Sequence, residues 1–142
     1  MPQAGARITA KKANRTVRER RVTYQVASSP SEFHPVTRGQ INAVVRKIVD
    51  EFNPEKIILF GSYAYGKPNI DSDVDMLVVM KSRERPTVRT ARVIGSLLDI
   101  KTFPMDLIVR TPAELQQRLA IGDFFIEEIV SLGKVLYERH TA

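Results

Sequence analysis

Two aspartates stand at the beginning of a short apolar run, and their spacing suggests metal chemistry. Residues 74–80 are apolar and rich in β-branched side chains, which predicts a buried β-strand. Because side chains on a strand alternate between its faces, Asp73 and Asp75 should share one face. Two carboxylates in one partly buried volume repel each other unless a cation neutralises them. Oxygen ligands without His or Cys favour a hard ion, Mg²⁺ or Mn²⁺.

The loop before this run suggests phosphate binding. Gly61 and Ser62 follow the apolar residues 56–60, which predict a second buried strand. Glycine lets backbone N–H groups approach an anion, and the serine hydroxyl adds a donor, so the loop could hold a terminal phosphate. Both features also have structural interpretations, since a glycine turn and a solvated Asp-Ser-Asp turn are common in proteins.

The same loop overlaps a second phosphate-binding pattern. Gly61, Gly66 and Lys67 match the first seven positions of a Walker A loop. The eighth position is Pro68, where a Ser or Thr must contact Mg²⁺, and Pro68 followed by Asn69 cannot continue the helix that such a loop requires. The sequence therefore disfavours a P-loop.

Taken together, these residues resemble the signature of the DNA polymerase β-type nucleotidyltransferase superfamily, most closely its minimal nucleotidyltransferase (MNT) branch. The similarity covers residues 37–137 and rests on Gly61-Ser62, a spacer with Gly66, and the segment 72–75 before an apolar strand. It implies an α+β fold (two-layer α/β) with a mixed β-sheet flanked by helices. It also implies that Gly61 and Ser62 hold the triphosphate of a nucleotide.

The resemblance requires a third carboxylate on a later strand. Asp106 supplies one, because it interrupts a third short apolar run, residues 103–110. The resemblance thus implies that Asp73, Asp75 and Asp106 are both the catalytic residues and the ligands of two Mg²⁺ ions, with Mn²⁺ as a substitute. Members of the branch commonly carry Arg at the position of Tyr65. Here Lys67 is the candidate to supply that positive charge near the phosphates of the nucleotide, and its alternative is a solvated surface lysine.

The positive charge of the chain is concentrated at one end. The 142 residues carry a net charge of +6 and no cysteine, which excludes disulfides, zinc–thiolate sites and cysteine nucleophiles. All of the net charge lies in residues 1–22. We therefore expect a disordered basic arm and connector, residues 1–35, able to make a weak nucleic-acid contact, and an MNT domain, residues 36–142. No run reaches membrane-spanning length, so we expect no membrane contact and a cytoplasmic location.

Helix signals surround the predicted strands. Thr37 with Gln40, and Thr111 with Glu114, form two capping boxes that each predict the beginning of a helix. Residues 88–98 predict another helix. The arginines in and before it favour a solvated basic face over a phosphate or RNA contact, and they are Arg83, Arg85, Arg89 and Arg92.

The C-terminal part predicts one more helix and a closing strand, residues 134–137. The helix carries Phe124, Phe125 and Ile129, which we expect to offer a partner surface. Since adjacent helical residues point in different directions, one phenylalanine is expected in the core and the other outside.

The resemblance implies Mg²⁺-dependent transfer of a nucleotidyl group, AMP from ATP by default, to an acceptor hydroxyl. The acceptor it suggests is a side chain of a helical HEPN-type partner protein. One alternative is a non-catalytic MNT-type antitoxin or partner-binding module. Another is transfer to RNA or to a small molecule such as an antibiotic, which the absence of an obvious second domain makes less favourable.

Overall fold

The computed structural model describes residues 33–140, so most of the predicted basic arm lies outside the described part. Within residues 33–140 the chain forms five helices and four strands. In chain order they are α1 Arg38–Phe52, β1 Lys56–Phe60, α2 Ser62–Tyr65, β2 Val74–Val79, α3 Pro86–Ser96, β3 Met105–Arg110, α4 Pro112–Ala120, α5 Phe124–Leu132 and β4 Lys134–Glu138. None of the helices in this part has the length and apolarity to cross a bilayer.

The four strands form one mixed sheet in the order β3-β2-β1-β4. β1 pairs antiparallel with both β2 and β4, whereas β2 pairs parallel with β3. The end of β1 therefore meets the beginnings of β2 and β3 at the same edge of the sheet. The predicted α+β fold with a mixed sheet flanked by helices is confirmed.

Helices cover both faces of this sheet, which adds a third layer to the two that were expected. On one face α1 and α3 pack on alternate residues of the strands, with Ile48, Val93 and Leu97 at the centre. On the other face α5 packs through Ile126 and Ile129, and α4 contributes partly buried leucines. Each central strand is thus buried on both sides, which explains why β1 and β2 read as continuous apolar runs.

Both capping boxes form as predicted. The Thr37 hydroxyl accepts a hydrogen bond from the Gln40 N–H, and the Gln40 side chain accepts one from the Thr37 N–H. Thr111 and Glu114 repeat this arrangement at the beginning of α4. These signals could be recognised in the sequence because a capping box is satisfied within four consecutive residues.

Arg89 contradicts the expectation of a fully solvated basic face on the helix predicted at residues 88–98. α3 begins earlier, at Pro86, and Arg89 is only 3% exposed. Its guanidinium donates to the two carboxylate oxygens of Glu114 at 2.5 and 3.0 Å and to the backbone carbonyl of Glu84 at 2.8 Å. A buried guanidinium requires such partners, so this bidentate pair joins α3 to the beginning of α4.

Candidate active site

The site begins with the close approach of a glycine to a carboxylate. Gly61 follows β1 with φ 73° and ψ −157°, a backbone conformation that residues other than glycine rarely adopt. A Cβ atom at this position would lie 2.1 Å from Oδ2 of Asp75. Residue 61 must therefore be glycine for two reasons, and its backbone lies directly against the Asp75 carboxylate.

After Gly61 the chain forms one helical turn, α2, where the sequence suggested only a loop. The backbone N–H groups of Ala64 and Tyr65 donate to the Gly61 carbonyl, and the Gly66 N–H donates to the Ser62 carbonyl. The helix ends at Gly66, so the long helix of a P-loop does not follow. A four-residue helix is too short to leave a hydrophobic period in the sequence.

Asp75 is the central carboxylate of the site. On β2 it pairs with Phe60 of β1 on one side and with Asp106 of β3 on the other. Asp75 is half-buried, whereas Asp73 and Asp106 are exposed. Burial raises the pKa of Asp75 to about 6, and the negative charges of Asp106 and Asp73 act in the same direction. Asp75 and Asp106 therefore lie side by side at one edge of the sheet, and Asp73 is near enough for its charge to act on Asp75, while the assignment of all three as metal ligands stays a prediction.

The chemistry of this donor set fits a hard divalent cation. All three candidate ligands are carboxylates, and among residues 33–140 no Lys or Arg forms an ion pair with any of them. Over the same residues no group of three acidic, His or Cys side chains already surrounds a common metal position. Strand register thus brings together Asp75 and Asp106, while Asp73 lies just before β2.

The other candidate residues lie along the same loop. Ser62 is the first residue of α2 and directly follows Gly61. Lys67 lies two residues beyond the end of α2 and is exposed. In the described part of the chain Lys67 belongs to no ion pair. Its assignment to the nucleotide therefore stays a prediction.

Glu128 is a neighbour of the site that the sequence did not indicate. The Tyr65 hydroxyl donates a hydrogen bond to Oε2 of Glu128 at 3.0 Å and so connects α2 to α5. Burial raises the pKa of Tyr65, and Glu128 and the charge of Asp75 add to this, while a hydrogen bond from the Gly61 backbone opposes it. The two bonded residues are 63 positions apart, so no local pattern could have revealed the pair.

α5 also brings exposed aromatic residues close to the site. Asp123 caps this helix by accepting from two backbone N–H groups. Phe125 packs edge-on against Phe60, with 5.7 Å between ring centroids. Phe124 is 85% and Phe125 52% exposed, so the expectation that one of them lies in the core is wrong. Ile129 is 0% exposed, so its assignment to a partner surface is also wrong.

Comparison with known proteins shows the family to which the chain belongs. The model of the nucleotidyltransferase domain family matches residues 42–134, which include all the candidate site residues. A protein of Methanocaldococcus jannaschii with the name "putative protein adenylyltransferase" is 30% identical over 79 residues, covering 56% of this chain and 75% of the relative. The chain therefore belongs to the nucleotidyltransferase domain family and is a nucleotidyltransferase enzyme.

One solved structure shows the same fold, and a second is less similar. A protein assigned as a nucleotidyltransferase from Sulfolobus solfataricus superposes with a TM-score of 0.50 at 20% identity, over 71% of this chain and 79% of that one. A mutant of the toxin-antitoxin MntA-HpeT gives a TM-score of 0.46 at 22% identity, over 70% of this chain and 73% of that one. The first similarity supports the mixed sheet and its helices as a shared fold.

Proposed function

We propose that this enzyme transfers AMP from ATP to an acceptor hydroxyl in a reaction that depends on Mg²⁺, with Mn²⁺ as a substitute. The observation that carries the proposal is the position of Asp75. It lies in register with Asp106, against the backbone of Gly61, with a pKa raised to about 6. A carboxylate kept in such surroundings favours a divalent cation as its partner.

The site residues have two roles in this proposal, metal binding and triphosphate binding. Asp73, Asp75 and Asp106 hold the two ions, and Gly61 with Ser62 contacts the triphosphate. When bound, the ions neutralise phosphate charge and lower the pKa of the acceptor hydroxyl.

Asp106 is open to an acceptor, since it is exposed and β3 is an edge strand of the sheet. It can accept the hydroxyl proton as the acceptor oxygen bonds to the α-phosphorus and the bond to pyrophosphate breaks.

The proposed acceptor is a hydroxyl-bearing side chain of another protein. Support comes from the relative in Methanocaldococcus jannaschii, three quarters of whose length is matched and whose name specifies protein adenylylation. A helical HEPN-type protein is the partner that the sequence resemblance implies. The exposed rings of Phe124 and Phe125 offer it apolar contacts close to the carboxylates, because Phe125 packs on Phe60 and Phe60 pairs with Asp75.

The second candidate is that the protein affects its partner by contact alone, and the same two phenylalanines favour it. A surface with a ring that is 85% exposed can bind a partner whether or not the carboxylates act. The two candidates can be distinguished, because transfer of AMP to the partner requires Asp75 and contact alone does not.

Transfer of label tests the proposed function. The full chain is incubated with Mg²⁺, ATP labelled at the α-phosphate, and an extract of its own cells. We expect covalent label on a protein acceptor, loss of label with Asp75→Asn, and retention with Asp71→Asn. Asp71 is a matched control because it lies in the same loop but belongs to the Asn69 turn. Label that is unaffected by Asp75→Asn would refute the proposal.

A further inference from the structure

The hydrogen bond between Tyr65 and Glu128 joins α2, which follows the Gly61 loop, to α5. Tyr65 is one helical turn after Gly61, and its N–H donates to the Gly61 carbonyl at 3.1 Å. Its ring extends from α2 to α5, where the hydroxyl donates to Glu128 Oε2 at 3.0 Å. Tyr65 remains 42% exposed, so part of its side chain is open to solvent beside the Gly61 loop.

Glu128 adds a fourth acidic group to this part of the protein. Within residues 33–140 it forms no ion pair with Lys or Arg, and its partner in the structure is the neutral phenol. Tyr65 has a single proton to donate. That proton can go to the Glu128 carboxylate or to an anion bound at the Gly61 loop, but a good hydrogen bond to both is not possible.

We propose that Tyr65 is a triphosphate-binding residue and that Glu128 competes with the nucleotide for its hydroxyl proton. Without nucleotide the phenol donates to Glu128, and with nucleotide it donates to a phosphate oxygen. The inference rests on the proposed function, because it assumes that a nucleoside triphosphate binds at Gly61 and Ser62. The inference gives the nucleotide a neutral hydrogen-bond donor, the Tyr65 hydroxyl, on a loop (residues 61–73) whose one cationic side chain is Lys67.

Competition predicts opposite effects for the two partners. Tyr65→Phe removes a hydrogen bond to a charged phosphate and should weaken nucleotide binding about tenfold. Glu128→Gln removes the competing carboxylate and should tighten binding about threefold to fivefold. The tightening should disappear in the double variant, because no proton is left to compete for.

The test is calorimetric titration of α,β-methylene ATP with Mg²⁺ into the full chain, the two single variants and the double variant. Tyr63→Phe is the matched control. Tyr63 belongs to the same helical turn, but its hydroxyl oxygen accepts from the Val36 N–H and lies on the opposite face of the sheet from α5. We expect Tyr63→Phe to bind the analogue as the wild type does.

The outcomes separate the inference from the function on which it rests. Wild-type affinity in Tyr65→Phe, with normal binding by the wild type, overturns the role of Tyr65 and leaves the proposed function intact. Tightening by Glu128→Gln that persists in the double variant shows simple charge repulsion and overturns the competition. Absence of binding by the wild type with both Mg²⁺ and Mn²⁺ rejects the proposed function and the inference together.

Discussion

Asp75 of β2 lies directly opposite Asp106 of β3, because these two parallel strands are in register. On its other side Asp75 pairs with Phe60, and the Gly61 backbone lies against its carboxylate. These neighbours withdraw Asp75 from water and place another negative charge beside it. The folded protein therefore holds electrostatic repulsion at this edge that a cation would relieve.

The stability of the metal-free protein should depend on the protonation of Asp75. Its pKa is about 6 in the folded protein and 3.8 for an ordinary solvated aspartate, so the folded state binds the proton more tightly. This contribution to stability is fully present below pH 3.8 and is lost as pH rises through about 6. Asp75→Asn should stabilise the metal-free protein at pH 7.5 by about 1 kcal/mol, a value reduced for solvent screening of a half-exposed group.

Urea unfolding at pH 5 and pH 7.5, in the presence of a chelator, measures this effect. The difference in unfolding free energy between Asp75→Asn and the wild type should be larger at pH 7.5. An equal difference at both values of pH would show that ionisation of Asp75 does not destabilise the folded protein.

Gly61→Ala should lower activity strongly by displacing a carboxylate. The added Cβ would lie 2.1 Å from Asp75 Oδ2, so the side chain of Asp75 must move. A displacement of this size typically lowers activity about a hundredfold. Gly122→Ala is the matched control, since Gly122 also has a positive φ of 77° but no atom lies within 4 Å of the added Cβ. Both variants should lose about 1 kcal/mol of stability, and only Gly61→Ala should lose label transfer. Equal activities would show that the contact with Asp75 is unimportant.

The pair of Arg89 and Glu114 should matter for folding and not for chemistry. Arg89→Met leaves Glu114 without its bidentate partner and should cost about 2 kcal/mol, less than a fully buried pair because Glu114 is one-third exposed. The Arg89 hydrogen bond lowers the pKa of Glu114 to about 2. Its contribution is present above pH 4.5 and is lost as pH falls through about 2. Acid unfolding followed by circular dichroism should therefore begin at higher pH in Arg89→Met, and an unchanged acid transition would contradict this account.

Two positions of α5 should separate the effect of the surface from that of the core. Phe124→Ser removes a ring that is 85% exposed, so stability should change by less than about 0.5 kcal/mol while KM for the protein acceptor rises. Ile129→Ala creates a cavity in a fully buried position and should cost about 3 kcal/mol. Thermal unfolding and label-transfer kinetics measure both effects. Unchanged KM in Phe124→Ser would exclude this surface from acceptor binding.

The sequence was sufficient to predict structural features that depend only on residues close together in the chain. Capping residues such as Thr37 and Thr111 satisfy backbone groups three positions away, so both helix beginnings were predicted correctly. The apolar runs identified all four strands, and those of β1 and β2 were the clearest because strands buried on both faces contain few polar residues. The resemblance located Asp106, but its position opposite Asp75 depends on strand register and became visible only in the structure.

Features that depend on distant partners could not be predicted. Arg89 looked like part of a solvated face because its partner Glu114 is 25 positions away. Glu128 was overlooked because its bond to Tyr65 spans 63 positions. The exposure of Phe125 depends on how α5 lies across Phe60, which helical periodicity alone does not determine.

The most direct test of the central claim is the affinity of Asp75→Asn for Mg²⁺ and a non-hydrolysable ATP analogue. Titration calorimetry on the wild type, Asp75→Asn and the control Asp71→Asn compares a candidate metal ligand with a nearby carboxylate of the same loop. We predict Mg²⁺-dependent binding by the wild type and Asp71→Asn, and loss of at least tenfold in affinity in an Asp75→Asn protein that is folded and more stable without metal. Wild-type affinity in folded Asp75→Asn would contradict the account.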